Sequence, residues 1–286
     1  MSKPAPLCCL SVILAREAPV GVIFRRGPAK WVQIVHWDTA TDTFTPGQWF
    51  HGKIDTERSD LSPDGSKLLY FAIKLNGRTI SDPEYGTSWT AISRPPYLTA
   101  LALWPTGYAW GWTHSGGGCF LSDTEIWLNL FKDAQAHPDH IPQGLTVYPQ
   151  TGYSFGGSYA GIGGGWECVQ DWQTEYLPGG GLETRGPRID RKQSPHGPQA
   201  VILTTNTTHY KSYRTYTLED GVGANEMLTG VDWADWDHRG RLVFARKGKL
   251  LALGADAIGR EPPTELIDLN GHTSEAIIAP AWAKEW

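Results

Sequence analysis

The chain has 286 residues, a net charge of −5 and a charged fraction of 19%. An acidic chain of this kind does not offer the broad basic surface that nucleic acid requires, and no apolar run is long enough to cross a membrane. The 33 glycines and 20 prolines are spread along the whole length, which favours short strands and turns over long helices. We therefore expect one all-β domain over residues 1–286, without a nucleic-acid or membrane partner.

The first predicted elements are four short strands, each separated from the next by turn residues. They cover residues 8–15, 20–25, 31–37 and 44–50. Residues 7–15 could also be the apolar part of a signal peptide, but the repeat described next favours a strand. Four short antiparallel strands in succession are typical of a propeller blade.

A turn recurs along the chain, and its clearest copy is Ser62-Pro63-Asp64-Gly65, followed by the apolar run Leu68-Leu69-Tyr70-Phe71-Ala72. Proline presets φ at one turn position, and glycine accepts the positive φ that the turn requires. Related turns precede other apolar segments at a spacing of roughly 44 residues, the length of a blade. Their glycines are Gly21, Gly65, Gly107, Gly152, Gly197 and Gly240.

This turn and its apolar run resemble the TolB-like, WD40-like β-propeller repeat. Gln33-Ile34-Val35-His36-Trp37-Asp38 resembles the strand of that repeat in which an aromatic residue precedes an aspartate. The resemblance implies a fold, and propellers serve as enzymes, lectins and scaffolds alike. We predict an all-β β-propeller with six four-stranded blades, five and seven being the alternatives. Residues 276–282 are expected to pair beside the N-terminal strands and to close the ring.

In such a ring the Pro-x-Gly turns lie on one face. In the propellers that this chain resembles, ligands usually meet the opposite face or the central channel, so we expect binding residues in the loops of that face, among them residues 74–88. An arginine rim there would suit a carboxylate or phosphate, unless its members are solvated and never meet. Aromatic residues of the same loops would suit a sugar or peptide, unless they pack between blades. The predicted binding residues are Arg25, Arg26, Arg58 and Arg94 for the rim, with Trp112, His114, Tyr159 and Trp166.

Motifs for metal binding and catalysis are weak. His137 and His140 flank Pro138-Asp139, but no third ligand is evident, so we interpret this segment as a surface loop rather than a zinc site. The aspartates between residues 232 and 238 fit a strand entering its turn better than a calcium loop. The glycine-rich residues 156–165 lack the Lys-Ser/Thr ending of a phosphate loop. No cofactor, metal or catalytic residue is predicted, although distant carboxylates for glycoside hydrolysis stay open.

The four cysteines, Cys8, Cys9, Cys119 and Cys168, are interpreted as reduced thiols in core positions of a cytosolic protein. The leading functional hypothesis is a non-enzymatic binding propeller of the bacterial cytosol that presents one loop face to a protein or peptide partner. The alternative is a carbohydrate-binding or carbohydrate-cleaving propeller, which the 14 tryptophans motivate. A small-molecule enzyme is a third hypothesis.

Overall fold

The computed structural model describes residues 8–82, 84–107, 115–130, 134–149, 164–176, 182–208, 211–219, 224–225 and 228–286. These residues form β-strands joined by turns, with one short α-helix. No helix in these ranges combines the length and the apolar character needed to cross a lipid bilayer. The chain divides into two compact units, Met1–Gly164 with Leu269–Trp286, and Gly165–Asp268.

The first unit begins with two antiparallel sheets of four strands, in which each strand pairs with the next along the chain. The first sheet consists of β1 (Cys9–Leu14), β2 (Val20–Arg26), β3 (Trp31–Asp38) and β4 (Thr43–His51). The second consists of β5 (Lys53–Leu61), β6 (Leu68–Ile73), β7 (Ser88–Ser93) and β8 (Ala102–Gly107), with helix α1 (Gly77–Ile80) between β6 and β7. Each sheet has the strand order of a propeller blade.

The third sheet of this unit departs from that pattern. Its strands are β9 (Gly118–Ser122), β10 (Glu125–Leu128) and β11 (Thr146–Pro149). The pair β9–β10 is antiparallel, whereas β10 and β11 are parallel. A parallel neighbour needs a long connection, and residues 129–145 provide it.

The second unit contains a five-stranded sheet, a separate hairpin and a four-stranded sheet. The five-stranded sheet has the order β12 (Glu167–Gln170), β15 (Arg188–Gln193), β16 (Ala200–Thr208), β17 (Lys211–Glu219) and β18 (Ala224–Asn225). The hairpin is formed by β13 (Gln173–Tyr176) and β14 (Leu182–Arg185), and the last sheet by β19 (Trp233–Trp236), β20 (Leu242–Arg246), β21 (Lys249–Leu253) and β22 (Thr264–Asp268).

The predicted fold class is confirmed: the chain is an all-β protein of the β-propeller class. The five larger sheets of the described residues count as five blades, one of the alternatives that the sequence left open, in place of the preferred six. The preferred count was wrong because Trp104-Pro105-Thr106-Gly107 is not a turn but most of strand β8. The turn of the sheet β9–β11, Asp123-Thr124, contains neither Pro nor Gly. It is held instead by the Ser122 side chain, which accepts the Thr124 N–H at 3.3 Å.

Three of the predicted Pro-x-Gly or related turns are where the sequence placed them. Gly65 and Gly240 have φ of +75° and +70° and donate to the carbonyls of Ser62 and Asp237. Gly197 lies in the turn between β15 and β16. Gly21 was wrongly assigned to a turn: it lies in β2 opposite Leu14, and the turn occupies residues 15–19. Gly152 lies outside the described residues.

In the first unit, the turns between first and second strands lie side by side. The Glu17 N–H donates to the Pro63 carbonyl at 2.9 Å, and the Asp64 N–H donates to Asp123 Oδ1 at 2.9 Å. We call this side of the three sheets the turn edge, and the side with the loops 27–30 and 74–87 the loop edge. Of the glycine turns that the sequence predicted, the one at Gly65 lies on this edge, whereas Asp123-Thr124 was not among the predicted copies.

The core of the first unit lies between its sheets. Strand β6 is apolar along its whole length because its residues alternate between two neighbours. Leu68 and Tyr70 face the first sheet, where they join Phe24 and Val32, while Leu69 faces the third sheet. Trp104 is buried between the second and third sheets, which is the packing role that we weighed for tryptophan.

Asp60 joins all three sheets of this unit at the turn edge. Its Oδ2 accepts the Phe120 N–H at 2.8 Å and lies 3.4 Å from Arg16 Nη1. Arg16 in turn donates through Nη2 to the Phe120 carbonyl at 2.7 Å. Burial raises the pKa of Asp60 to about 6, although Arg16 and the hydrogen bond from Phe120 act in the opposite direction.

The C-terminal segment Leu269–Trp286 crosses the first unit without forming a strand. Arg25, which is buried, holds its beginning by donating to the carbonyls of Leu269 and His272, both at 3.1 Å. Arg94 Nε donates to the Glu285 carbonyl at 2.9 Å near the other end. The predicted pairing of residues 276–282 with the N-terminal strands is wrong. Those residues are irregular up to a short 3₁₀ helix, Ala281–Lys284, that follows Pro280.

The cysteines are all free, and only two occupy core positions. Cys8 and Cys119 are buried, as predicted, whereas Cys9 and Cys168 are exposed. Cys9 is exposed because side chains alternate along a strand and Cys8 takes the inward direction. Cys168 lies in β12, whose four residues are all exposed.

The raised pKa of Asp60 predicts a stability that falls as pH rises. Below the unfolded value of 3.8 the carboxyl is protonated in both states, and between 3.8 and about 6 only the unfolded state ionises. The free energy of unfolding should therefore lose about 3 kcal/mol as pH rises through this range. Chemical denaturation of wild type and Asp60→Asn at pH 4 to 7.5 tests this, because the loss should disappear in the variant. The exposed Glu261→Gln is the control and should keep it.

The neighbours Arg25 and Arg26 form a matched pair for testing the C-terminal anchor. Arg25→Lys cannot reproduce the planar set of donors to the segment, so the free energy of unfolding should fall by about 2 kcal/mol. Cleavage by a glutamyl endopeptidase after the exposed Glu275 should become several times faster. Arg26→Lys, on an exposed side chain, should change neither quantity. Equal behaviour of the two variants would contradict the anchoring role of Arg25.

Candidate functional site

The arginines of the predicted rim are not brought together. Arg25 is buried and its guanidinium serves the C-terminal segment, with the Trp49 ring centroid 5.2 Å away. Arg26 is exposed at the end of β2, on the loop edge. Arg94 directly follows β7, whose last residue Ser93 pairs with Leu68 beside the turn edge. Arg58 lies over the Phe71 ring at 5.3 Å. A ligand-binding role for these residues stays a prediction, but a common rim within the first unit is not formed.

Of the predicted aromatic residues, Trp112, His114 and Tyr159 lie outside the described residues. Trp166 belongs to the second unit, where it is half-buried and has Lys192 Nζ 5.9 Å from its ring centroid. Its binding role is also untested.

Two segments that the sequence treated separately meet at the second sheet of the first unit. One is the loop of residues 74–87 between β6 and β7, which makes up most of the predicted binding-face loop 74–88. The other is the His137–His140 segment, weighed as a zinc pair and interpreted as a surface loop. Their contact defines the candidate site, which we call the His137 cluster: Asp82, Glu84, Tyr85, His137, Asp139 and His140.

The loop of residues 74–87 is ordered by its own hydrogen bonds. Asn76 caps helix α1 by accepting the N–H groups of Arg78 and Thr79, and Thr79 returns a bond to the Asn76 N–H. This reciprocal arrangement is a capping box. Asp82 Oδ1 then accepts the N–H groups of Glu84 and Tyr85 at 2.9 and 3.1 Å. These bonds fix the backbone positions of Glu84 and Tyr85.

The histidine segment is held against the outer strand of the same sheet. The His137 N–H donates to the Leu103 carbonyl at 2.8 Å, and the Leu103 N–H donates to the His140 carbonyl at 3.1 Å. A further bond from the His140 N–H to the His137 carbonyl closes a turn. The segment thereby covers part of the edge of β8, which would otherwise offer unpaired backbone groups. Pro138 and Asp139 are exposed, so the segment is a loop at the surface whose two histidines are bonded to β8.

His137 is the centre of the cluster and is only 5% exposed. Its Nε2 lies 3.0 Å from Glu84 Oε1, and its Nδ1 accepts the Asp139 N–H at 3.2 Å. Because Nδ1 is an acceptor, the ring proton is on Nε2 and is donated to Glu84. The Tyr85 ring stacks on the imidazole at 4.9 Å, and the His140 ring centroid lies 5.5 Å away.

The electrostatic surroundings of the cluster are negative. Burial raises the pKa of Tyr85, and the charges of Glu84, Asp139 and Asp82 raise it further. Three carboxylates therefore act on the space around the His137 imidazole. Such a place favours a cation or a hydrogen-bond donor.

Sequence reasoning missed Glu84 as a member of this site. Its distance along the chain from His137 leaves no local spacing to detect, and only the packing of the loop against β8 brings the two together. The one available signal was that both segments had been singled out for separate reasons.

No protein-family model and no curated protein matches the sequence. Among solved structures, the chain aligns with the β-propeller domain of the Trilobed protease from Pyrococcus furiosus, covering 88% of this chain and 83% of that one. The identity is 12% and the TM-score 0.26, so this likeness supports no inference. The propeller assignment rests on the order and pairing of the strands.

Proposed function

We propose that this protein is a non-enzymatic binding domain that presents the loop edge of its first unit to a protein or peptide partner. The observation that carries the proposal is the loop of residues 74–87. Leu75 and Ile80 are exposed by 53% and 41% on a segment that its own capping bonds hold in place. Exposed Arg78 lies between them. Apolar side chains beside an arginine on an ordered loop are characteristic of protein interfaces.

The turn edge is less suited to a partner. Its backbone groups are used for contacts between neighbouring sheets, as in the bonds from Glu17 to Pro63 and from Asp64 to Asp123. The likeness of the Ser62–Ala72 segment to TolB-like repeats fits this choice, since in propellers of that type ligands usually meet the side opposite these turns. Partner binding at the loop edge would leave the contacts between neighbouring sheets at the turn edge undisturbed.

A carbohydrate ligand is the second candidate, favoured by a different place on the unit. Trp282 is 55% exposed and meets the Tyr97 ring edge-on at 5.5 Å. An exposed, supported aromatic face of this kind can stack on the apolar side of a sugar ring. This candidate uses the C-terminal segment rather than the loop edge.

A pull-down with matched variants tests the leading proposal. Protein recovered from native lysate with wild type should be lost with the double variant Leu75→Ser/Ile80→Ser. It should be retained with Leu121→Ser, which alters a leucine of similar exposure, 50%, next to the turn edge. All three side chains are exposed, so the unfolding midpoints should stay close to wild type.

The opposite results are equally informative. Retention of the partner by the Leu75→Ser/Ile80→Ser variant would overturn the assignment to the loop edge. Binding of wild type to a glycan array, abolished by Trp282→Ala in the absence of any protein partner, would replace the proposal with the carbohydrate function.

A further inference from the structure

We propose that the His137 cluster is a Zn²⁺ site formed by His137, Glu84 and Asp139. One ligand atom from each of these residues lies within 4.8 Å of the other two. A tetrahedral zinc ion with bonds of about 2.0–2.2 Å holds its ligand atoms roughly 3.3–3.6 Å apart. The existing arrangement is therefore within about an ångström of a coordination shell.

The donor set fits zinc better than magnesium or calcium. Magnesium and calcium prefer oxygen ligands, whereas one imidazole with two carboxylates suits a borderline cation. The two carboxylates balance the charge of the ion. Three protein ligands leave a fourth position open, and the ring centroid of a second imidazole, His140, lies 5.5 Å from that of His137.

The burial of His137 sets this cluster apart from an ordinary group of surface acids. Its ring is held by stacking on Tyr85 and by the backbone bonds of its segment to Leu103. Its Nε2 already points at the Glu84 carboxylate, where it donates a proton. The zinc ion would take the place of that proton.

Zinc binding at His137 requires the loss of one hydrogen bond. Zinc binds the lone pair of a neutral imidazole, so coordination through Nε2 requires the ring proton to move to Nδ1. Nδ1 now accepts the Asp139 N–H at 3.2 Å, near the long limit for such a bond. That single bond must be given up. Pro138 and Asp139 are exposed, so the peptide between them can turn without disturbing the core.

Calorimetric titration of the full chain with zinc chloride alone tests the proposal. Wild type should bind one zinc ion, with no comparable heat from magnesium chloride. Glu84→Gln should weaken the affinity at least tenfold while keeping the fold, because the Glu84 side chain is 56% exposed and the amide oxygen still accepts from Nε2. His51→Gln, an exposed histidine elsewhere in the unit, should bind like wild type.

Cobalt provides a spectroscopic readout of the ligands. The Co²⁺-loaded protein should show visible absorption bands of a four-coordinate site, and these bands should be lost in Glu84→Gln and Asp139→Asn. Absence of zinc binding by wild type would overturn the proposal, and so would equal affinity in Glu84→Gln and wild type. The result is independent of the proposed partner, because the titration contains no other protein.

Discussion

Asp60 lies where three separate sheets meet, and the first unit depends on contacts of this type. Strand pairing satisfies backbone groups only within a blade, so neighbouring blades must be joined by packing and by a few polar bridges. The Asp60 carboxylate, held by Arg16 and the Phe120 N–H, is such a bridge. Its burial has a cost, which is seen in the raised pKa. The contribution of this joint to stability therefore depends on pH.

Arg25 supplies hydrogen-bond donors to the C-terminal segment at the loop edge. The segment Leu269–Trp286 joins no sheet, so its carbonyl groups need donors from elsewhere. A buried guanidinium offers several N–H groups in one plane, and those of Arg25 meet the carbonyls at residues 269–272. Arg25, which the sequence analysis predicted to bind a ligand, thus holds the C-terminal segment of its own chain.

The His137 cluster follows from the same need to cover a sheet edge. The segment that carries His137 lies against β8 because Leu103 exchanges backbone bonds with it. That contact brings a buried imidazole to the carboxylate of Glu84 on the loop between β6 and β7. The same contact therefore covers the edge of β8 and forms the His137 cluster. The exposed Leu75 and Ile80 on the same loop place the proposed partner surface near it.

The sequence by itself determined the fold class and much of the local structure. The apolar runs of the strands and the turns at Gly65, Gly197 and Gly240 are set by neighbouring residues, so they could be predicted. The blade count could not, because Trp104-Pro105-Thr106-Gly107 has the composition of a turn and becomes a strand only when Trp104 packs between two sheets.

Tertiary structure alone decided the use of the polar residues. Whether an arginine lies in solvent, as Arg26 does, or in the interior, as Arg25 does, depends on a segment more than two hundred residues away. The meeting of Glu84 with His137 likewise has no local signature. Turns and strands depend on short-range geometry, whereas sites depend on which distant segments pack together, and only the folded chain specifies that.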